Sequence, residues 1–115
     1  MDATIYHNAR CGTSRSTLAL LREAGIEPVI VDYLVSPPSK DALRALSVGA
    51  ALREKEAAYA TLGLANPTLS DDALLGHMVD TPILIDRPFV TTPLGTRLCR
   101  PPETVLDILP GTQAR

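Results

Sequence analysis

Residues that bind metals or staple small folds are scarce in this chain, which has two cysteines, Cys11 and Cys99, and two histidines, His7 and His77, among 115 residues. They are scattered rather than grouped at ligand spacing, so no metal site is expected. A single pair of cysteines points to a reactive thiol rather than a disulfide framework. No apolar run approaches the roughly 20 residues that a membrane-spanning helix needs. The start, Met1-Asp2 followed by a polar-apolar alternation, lacks a basic stretch leading into an apolar one. A cytoplasmic location is therefore expected. Charge of either sign is not in excess: eleven Lys and Arg face thirteen Asp and Glu, for a net charge of -2. Without an overall basic field, neither nucleic acid nor a membrane surface is an expected partner. Internal repeats, low-complexity tracts and linkers are also missing, so residues 1–115 are expected to form a single domain.

What is present suits a folded globule, with hydrophobic residues at 45% and charged residues at 21%. Thr4-Ile5-Tyr6 predicts a short strand, broken by the polar stretch from His7 to Thr13. A helix is predicted within Ser14 to Ala24, with Leu18, Leu20 and Leu21 as its apolar stripe and Gly25 closing its last turn. The β-branched run from Pro28 to Leu34 predicts a second, buried strand, parallel to the first if the crossover is right-handed. Ser39, after Pro37-Pro38, predicts a helix N-cap with Asp41 in the first turn. From Lys40 to Gly63 the pattern is helical but interrupted, notably at Gly49. Ser70 predicts another N-cap, for a helix carrying Leu74, Leu75 and Met78 and stopped by Thr81-Pro82. Ile83 to Val90 and Thr96 to Cys99 predict an antiparallel pair about a Pro93-Leu94-Gly95 turn. Glu103 to Leu109 predicts a closing helix, with Val105, Leu106 and Leu109 on one side and Pro110-Gly111 as its stop. The order predicts an α/β, thioredoxin-like layer: a small mixed sheet flanked by helices.

The chemistry lies between the first strand and the first helix, in His7-Asn8-Ala9-Arg10-Cys11-Gly12-Thr13-Ser14-Arg15. A thiol at a helix N-terminus meets unpaired backbone N–H groups and the positive end of the helix dipole, both of which favour the thiolate. The dipole contributes on the order of 0.3–2 kcal/mol, less than is needed to ionise an ordinary thiol at neutral pH, so a nearby cation is wanted. Arg10, Arg15 and a protonated His7 are candidates, while a neutral His7 offers a proton acceptor instead. The N–H groups of Gly12, Thr13, Ser14 and Arg15 also suit an oxyanion. Thiolate and oxyanion repel each other in one cradle, so cations must converge from elsewhere. Arg53, Arg87, Arg97 and Arg100 have guanidinium forks that match a tetrahedral anion. The Arg87-Pro88 bond is a candidate cis bond.

Two motifs are absent. Ser14 stands where a C-x-x-C redox site needs its second cysteine, so an external thiol or the distant Cys99 must resolve whatever Cys11 forms. Cys99 falls in a predicted strand and is expected in the core. Thr17 stands where a phosphatase-style loop needs an arginine six residues after the cysteine.

From end to end the chain resembles the glutaredoxin-coupled arsenate reductases, within a thioredoxin-like group that also holds Spx-type regulators. The resemblance rests on I-Y-H-N-x-x-C-G-T-S-R at residues 5–15, P-P-S at 37–39 and L-I-D-R-P-F-V-T-T-P-L-G-T-R-L-C-R-P at 84–101. It implies that Cys11 attacks arsenate and that Arg53, Arg87 and Arg100 bind the oxyanion. It also implies that His7, with Ser14 nearby, tunes the nucleophile. The implied reductants are glutathione, as co-substrate, and glutaredoxin, as partner. No bound cofactor is implied, and a monomer is expected. The sequence departs from the family pattern at Ala9, usually proline, and in a shortened span between Pro37-Pro38-Ser39 and Leu52-Arg53. Two other functions fit less of the pattern. A glutathione-dependent reductase of other disulfides is compatible with C-x-x-S, whereas Spx-type proteins that bind RNA polymerase generally carry C-x-x-C.

Overall fold

The computed structural model describes residues 2–45 and 51–110, so the expectations for Gly49 and Gly111 lie outside the described residues. The chain divides into two compact units, one built from the segments up to Tyr33 and from Arg87 onward, the other from Leu34–Asp86. The first unit holds the whole sheet. Strand β1 (Thr4–His7) is followed by helix α1 (Gly12–Glu23) and strand β2 (Val29–Asp32). The two strands are parallel, with Ile5 opposite Ile30 and His7 opposite Asp32. Gly25, at φ 80°, takes the left-handed conformation expected after the helix. Strands β3 (Phe89–Thr92) and β4 (Gly95–Leu98) complete a four-stranded mixed sheet in the order β2-β1-β3-β4, and both of their pairings are antiparallel.

The core lies on the Ile5 and Val90 face of the sheet, where Leu21 of α1, Ile26, Cys99 and Val105, Ile108 and Leu109 of the closing segment pack together. Along α1 the fully buried positions are Ser14, Thr17 and Leu21, with Leu18 and Leu20 only partly buried. The buried stripe is therefore largely polar where the sequence predicts leucines. It remains satisfied because Thr17 Oγ1 donates to the Thr13 carbonyl at 2.9 Å and Ser14 Oγ is bonded to the preceding loop. On the opposite face Tyr6 stacks on Phe89, with ring centroids 4.1 Å apart.

Three predicted elements take another form. The sequence predicts that β2 is buried, yet Val29 and Ile30 are 63% and 44% exposed. β-Branched residues favour a strand, but β2 is the sheet's edge and has a neighbour on one side only. The predicted strand from Ile83 begins only at Phe89, because Pro82–Leu84 forms a 3-10 turn and Pro88 has no N–H for a ladder. The closing helix is a 3-10 segment, Pro102–Ile108. At three residues per turn it buries Val105 and Ile108 together. The β3–β4 hairpin is anchored to it, since the Thr92 hydroxyl donates to the Ile108 carbonyl at 2.7 Å and accepts from Leu94 N–H at 3.1 Å.

The second unit is helical: α2 (Lys40–Arg44), α3 (Ala57–Thr61) and α4 (Asp71–Asp80), then the 3-10 turn. Both predicted N-caps form, with Ser39 Oγ accepting from Ala42 N–H and Ser70 Oγ from Ala73 N–H, each at 3.1 Å. Leu43 of α2, Leu75 and Met78 of α4, and Leu84 are buried there. Asp72 accepts from Lys40 at 3.3 Å and from Arg44 at 2.5 Å, which ties α4 to α2. Among the described residues no helix is long and apolar enough to cross a membrane.

Candidate active site

The loop that carries the thiol is built from its own short-range hydrogen bonds. Cys11 N–H donates to the Asn8 carbonyl at 2.9 Å, which closes a four-residue turn. Asn8 Oδ1 accepts from Arg10 N–H at 2.9 Å, and Asn8 N–H donates to Ser14 Oγ at 3.1 Å. Arg15 Nη1 donates to the Ala9 carbonyl at 2.8 Å. Cys11 is thereby the N-cap of α1, in extended conformation, and the first turn holds no acidic side chain. The helix N-terminus is left with its positive end unneutralised and with the first-turn N–H groups of Gly12, Thr13 and Ser14 lacking acceptors one turn back. The thiol is half-buried and remains partly accessible.

A cation reaches it from the far end of the chain. Arg100 Nη1 lies 3.9 Å from Cys11 Sγ and donates to the Arg87 carbonyl at 2.7 Å. One nitrogen is thus held by main chain while facing sulfur. Both Arg87-Pro88, the candidate cis bond, and Arg100-Pro101 are cis.

His7 closes the other side of the loop. Its Nδ1 lies 2.6 Å from Ser14 Oγ. Partial burial pushes the imidazole below its ordinary pKa of 6.5; Asp32 opposes this, and Arg15 and Arg22 add to it. The lowering favours the neutral imidazole, the proton acceptor of the two readings of His7. Ser14 Oγ thus accepts from Asn8 N–H and shares a hydrogen bond with His7 Nδ1, in which the imidazole tautomer sets which atom donates.

Of the predicted site residues, Cys11, Gly12, Thr13, Ser14, His7, Arg87 and Arg100 all belong to the first unit. Arg53 belongs to the second, where its N–H donates to the Leu84 carbonyl at 2.7 Å and its guanidinium pairs with Glu56 at 2.6 Å. Cys99 is in the core as expected. Burial, reinforced by Asp107, pushes its thiol up to about 12. Two contributors escape a reading of the sequence. Asn8 organises the loop through three separate bonds, a role that asparagine at the first position of a turn signals. The Arg87 carbonyl holds Arg100, and a main-chain acceptor leaves no trace in a sequence.

A cysteine at the N-cap of the first helix, its sulfur beside an arginine that follows the last strand of a small mixed sheet, defines a thioredoxin-like thiol protein. The profile of the ArsC family matches residues 6–108. The chain is 58% identical to the arsenate reductase of Rhizobium meliloti (strain 1021), over 97% of its own length and 84% of that protein. It is 54% identical to an Escherichia coli arsenate reductase, with the same coverage. Among solved structures, an arsenate reductase from Vibrio cholerae superposes with a TM-score of 0.88 at 44% identity, covering 95% of this chain and 98% of that one. The chain belongs to the ArsC family. Its alignment with the Rhizobium protein spans 118 positions, more than the 115 residues of this chain, so that relative has residues this chain lacks.

Proposed function

We propose that the protein reduces arsenate to arsenite, with Cys11 as the nucleophile. The observation that carries this reading is the contact between Cys11 Sγ and Arg100 Nη1, 3.9 Å long, at the N-cap of α1 in a chain of the ArsC family. A guanidinium beside sulfur, with the Gly12, Thr13 and Ser14 N–H groups, offsets the repulsion between a sulfur nucleophile and an incoming dianion. Sulfur attacks arsenic and one arsenate oxygen leaves as water, giving a sulfur–arsenic(V) adduct. Two electrons then reduce As(V) to As(III) as two thiols become one disulfide. Water then adds to As(III), the sulfur–arsenic bond breaks with a proton of that water passing to sulfur, and arsenite departs with the Cys11 thiol restored.

The reducing thiols come from outside the chain in this proposal. Ser14 occupies the C-x-x-C partner position, and Cys99 is buried with its thiol raised to about 12, so it supplies no thiolate at neutral pH. Glutathione as co-substrate and glutaredoxin as partner fill that role, and no resident cofactor is required. Arg87 and Arg53 complete the oxyanion clamp in this reading. Arg53 enters on the family resemblance and would have to exchange its Glu56 partner for substrate. His7, with Ser14 Oγ 2.6 Å from its Nδ1, tunes the nucleophile in this reading. The remaining parts of the proposal are that the chain works as one domain, as a monomer, in the cytoplasm.

Purified protein supplied with arsenate, glutathione and glutaredoxin should consume reductant in proportion to arsenate, and the Cys11→Ser variant should not. Turnover by that variant equal to wild type would refute the assignment. Turnover with a disulfide substrate but none with arsenate would favour a general thiol reductase instead.

A further inference from the structure

Arg15 stands one helical turn beyond Cys11, with an exposed side chain, and its Nη1 donates to the Ala9 carbonyl at 2.8 Å. Ala9 is the second residue of the turn that Asn8 and Cys11 close. That position favours proline, whose fixed φ pre-forms the turn, and here the residue is alanine. The other ties of the loop fall on Asn8, Arg10 and Cys11. The peptide leaving Ala9 is held at both ends, its carbonyl by Arg15 and its N–H, carried by Arg10, by Asn8 Oδ1 at 2.9 Å; of the two, the Arg15 contact alone, among the described residues, reaches it from outside the turn. The cation in contact with sulfur is a different residue, Arg100.

We propose that Arg15 is a positioning residue. Its guanidinium braces the Ala9 carbonyl and so fixes the direction in which the turn presents Cys11 to Arg100, doing through a side chain what a proline in place of Ala9 would do through the backbone. The inference rests on the reading that Cys11 is the attacking group. Ala9→Pro is the natural probe, because the Ala9 N–H donates to no described residue and the substitution removes no bond.

The test is a double-mutant cycle of Arg15→Gln and Ala9→Pro with two readouts: the rate at which iodoacetamide alkylates Cys11 at fixed pH, and kcat and KM for arsenate. In the chain that keeps Ala9, Arg15→Gln should slow alkylation and lower kcat by about three- to tenfold, as expected for one hydrogen bond, with KM little changed. In the Ala9→Pro background the same substitution should cost less than about twofold, because the turn no longer needs the brace. Equal losses in both backgrounds would overturn the proposal. So would a rise in KM at constant kcat, which would make Arg15 a ligand of the oxyanion. Cys99 is buried, so alkylation of the folded protein reports Cys11. If arsenate turnover is absent while alkylation follows the cycle, the brace stands and the proposed reaction fails.

Discussion

His7 shows how the fold sets the charge of a single residue. Partial burial outweighs the attraction of Asp32 and holds the imidazole below its ordinary pKa of 6.5. As pH falls, the unfolded chain therefore takes up this proton before the folded one does. The contribution of His7 to stability is complete above about pH 6.5, shrinks below it and is gone once the folded value is passed. Denaturant midpoints measured between pH 8 and pH 5 should show this acid-side loss in wild type, and a His7→Gln variant should lack that component. Arg100 permits a sharper test, because one of its nitrogens serves both the Arg87 carbonyl and the Cys11 sulfur. Lysine has a point charge on a flexible stem and no planar fork. Arg100→Lys should lower kcat/KM for arsenate by roughly 10²-fold, the scale for losing one preorganised donor, with little change in melting temperature.

Elements respond to different forces, and their tests are measurements of stability. Ser39 and Ser70 each accept a first-turn N–H, so alanine at either should cost about 1 kcal/mol in denaturant titration, without altering the chemistry of Cys11. Gly25 sits at φ 80°, and alanine there should cost about 1–2 kcal/mol through backbone strain, although nothing lies within 4 Å of the added Cβ. These features are legible in the sequence because a cap or a left-handed turn depends on a few neighbouring residues. Strand β2 is not legible in the same way. Its β-branched run forms the predicted strand, but burial depends on which strands flank it. A sequence reports composition, and the edge position of β2 arises from pairing in the sheet. The closing segment differs from its expected form for another reason. Val105, Ile108 and Leu109 bury whether the turn is α or 3-10, so their pattern does not select between the two periods.

For the whole molecule the question is how one thiol works without a second. Cys99 lies in the core cluster formed by α1, the sheet and the closing segment, and its thiol is raised to about 12. Iodoacetamide should therefore label one cysteine in the folded protein and two after unfolding, by mass spectrometry. Cys99→Ala should keep arsenate turnover while losing on the order of 1 kcal/mol of stability. The amino-acid sequence by itself determined the loop around Cys11 and the caps, because those depend on contacts within a few residues: Asn8 with Cys11, His7 with Ser14, Ser39 with Ala42. Only the tertiary structure decided which cation reaches the sulfur, which thiol is sealed away and which strand is left at the edge. Arg100 is 89 residues from Cys11 along the chain, and what brings it to 3.9 Å is the pairing of β1 with β3 and β3 with β4. Strand pairing is a property of distant segments meeting, and no local pattern of residue types encodes the distance between them.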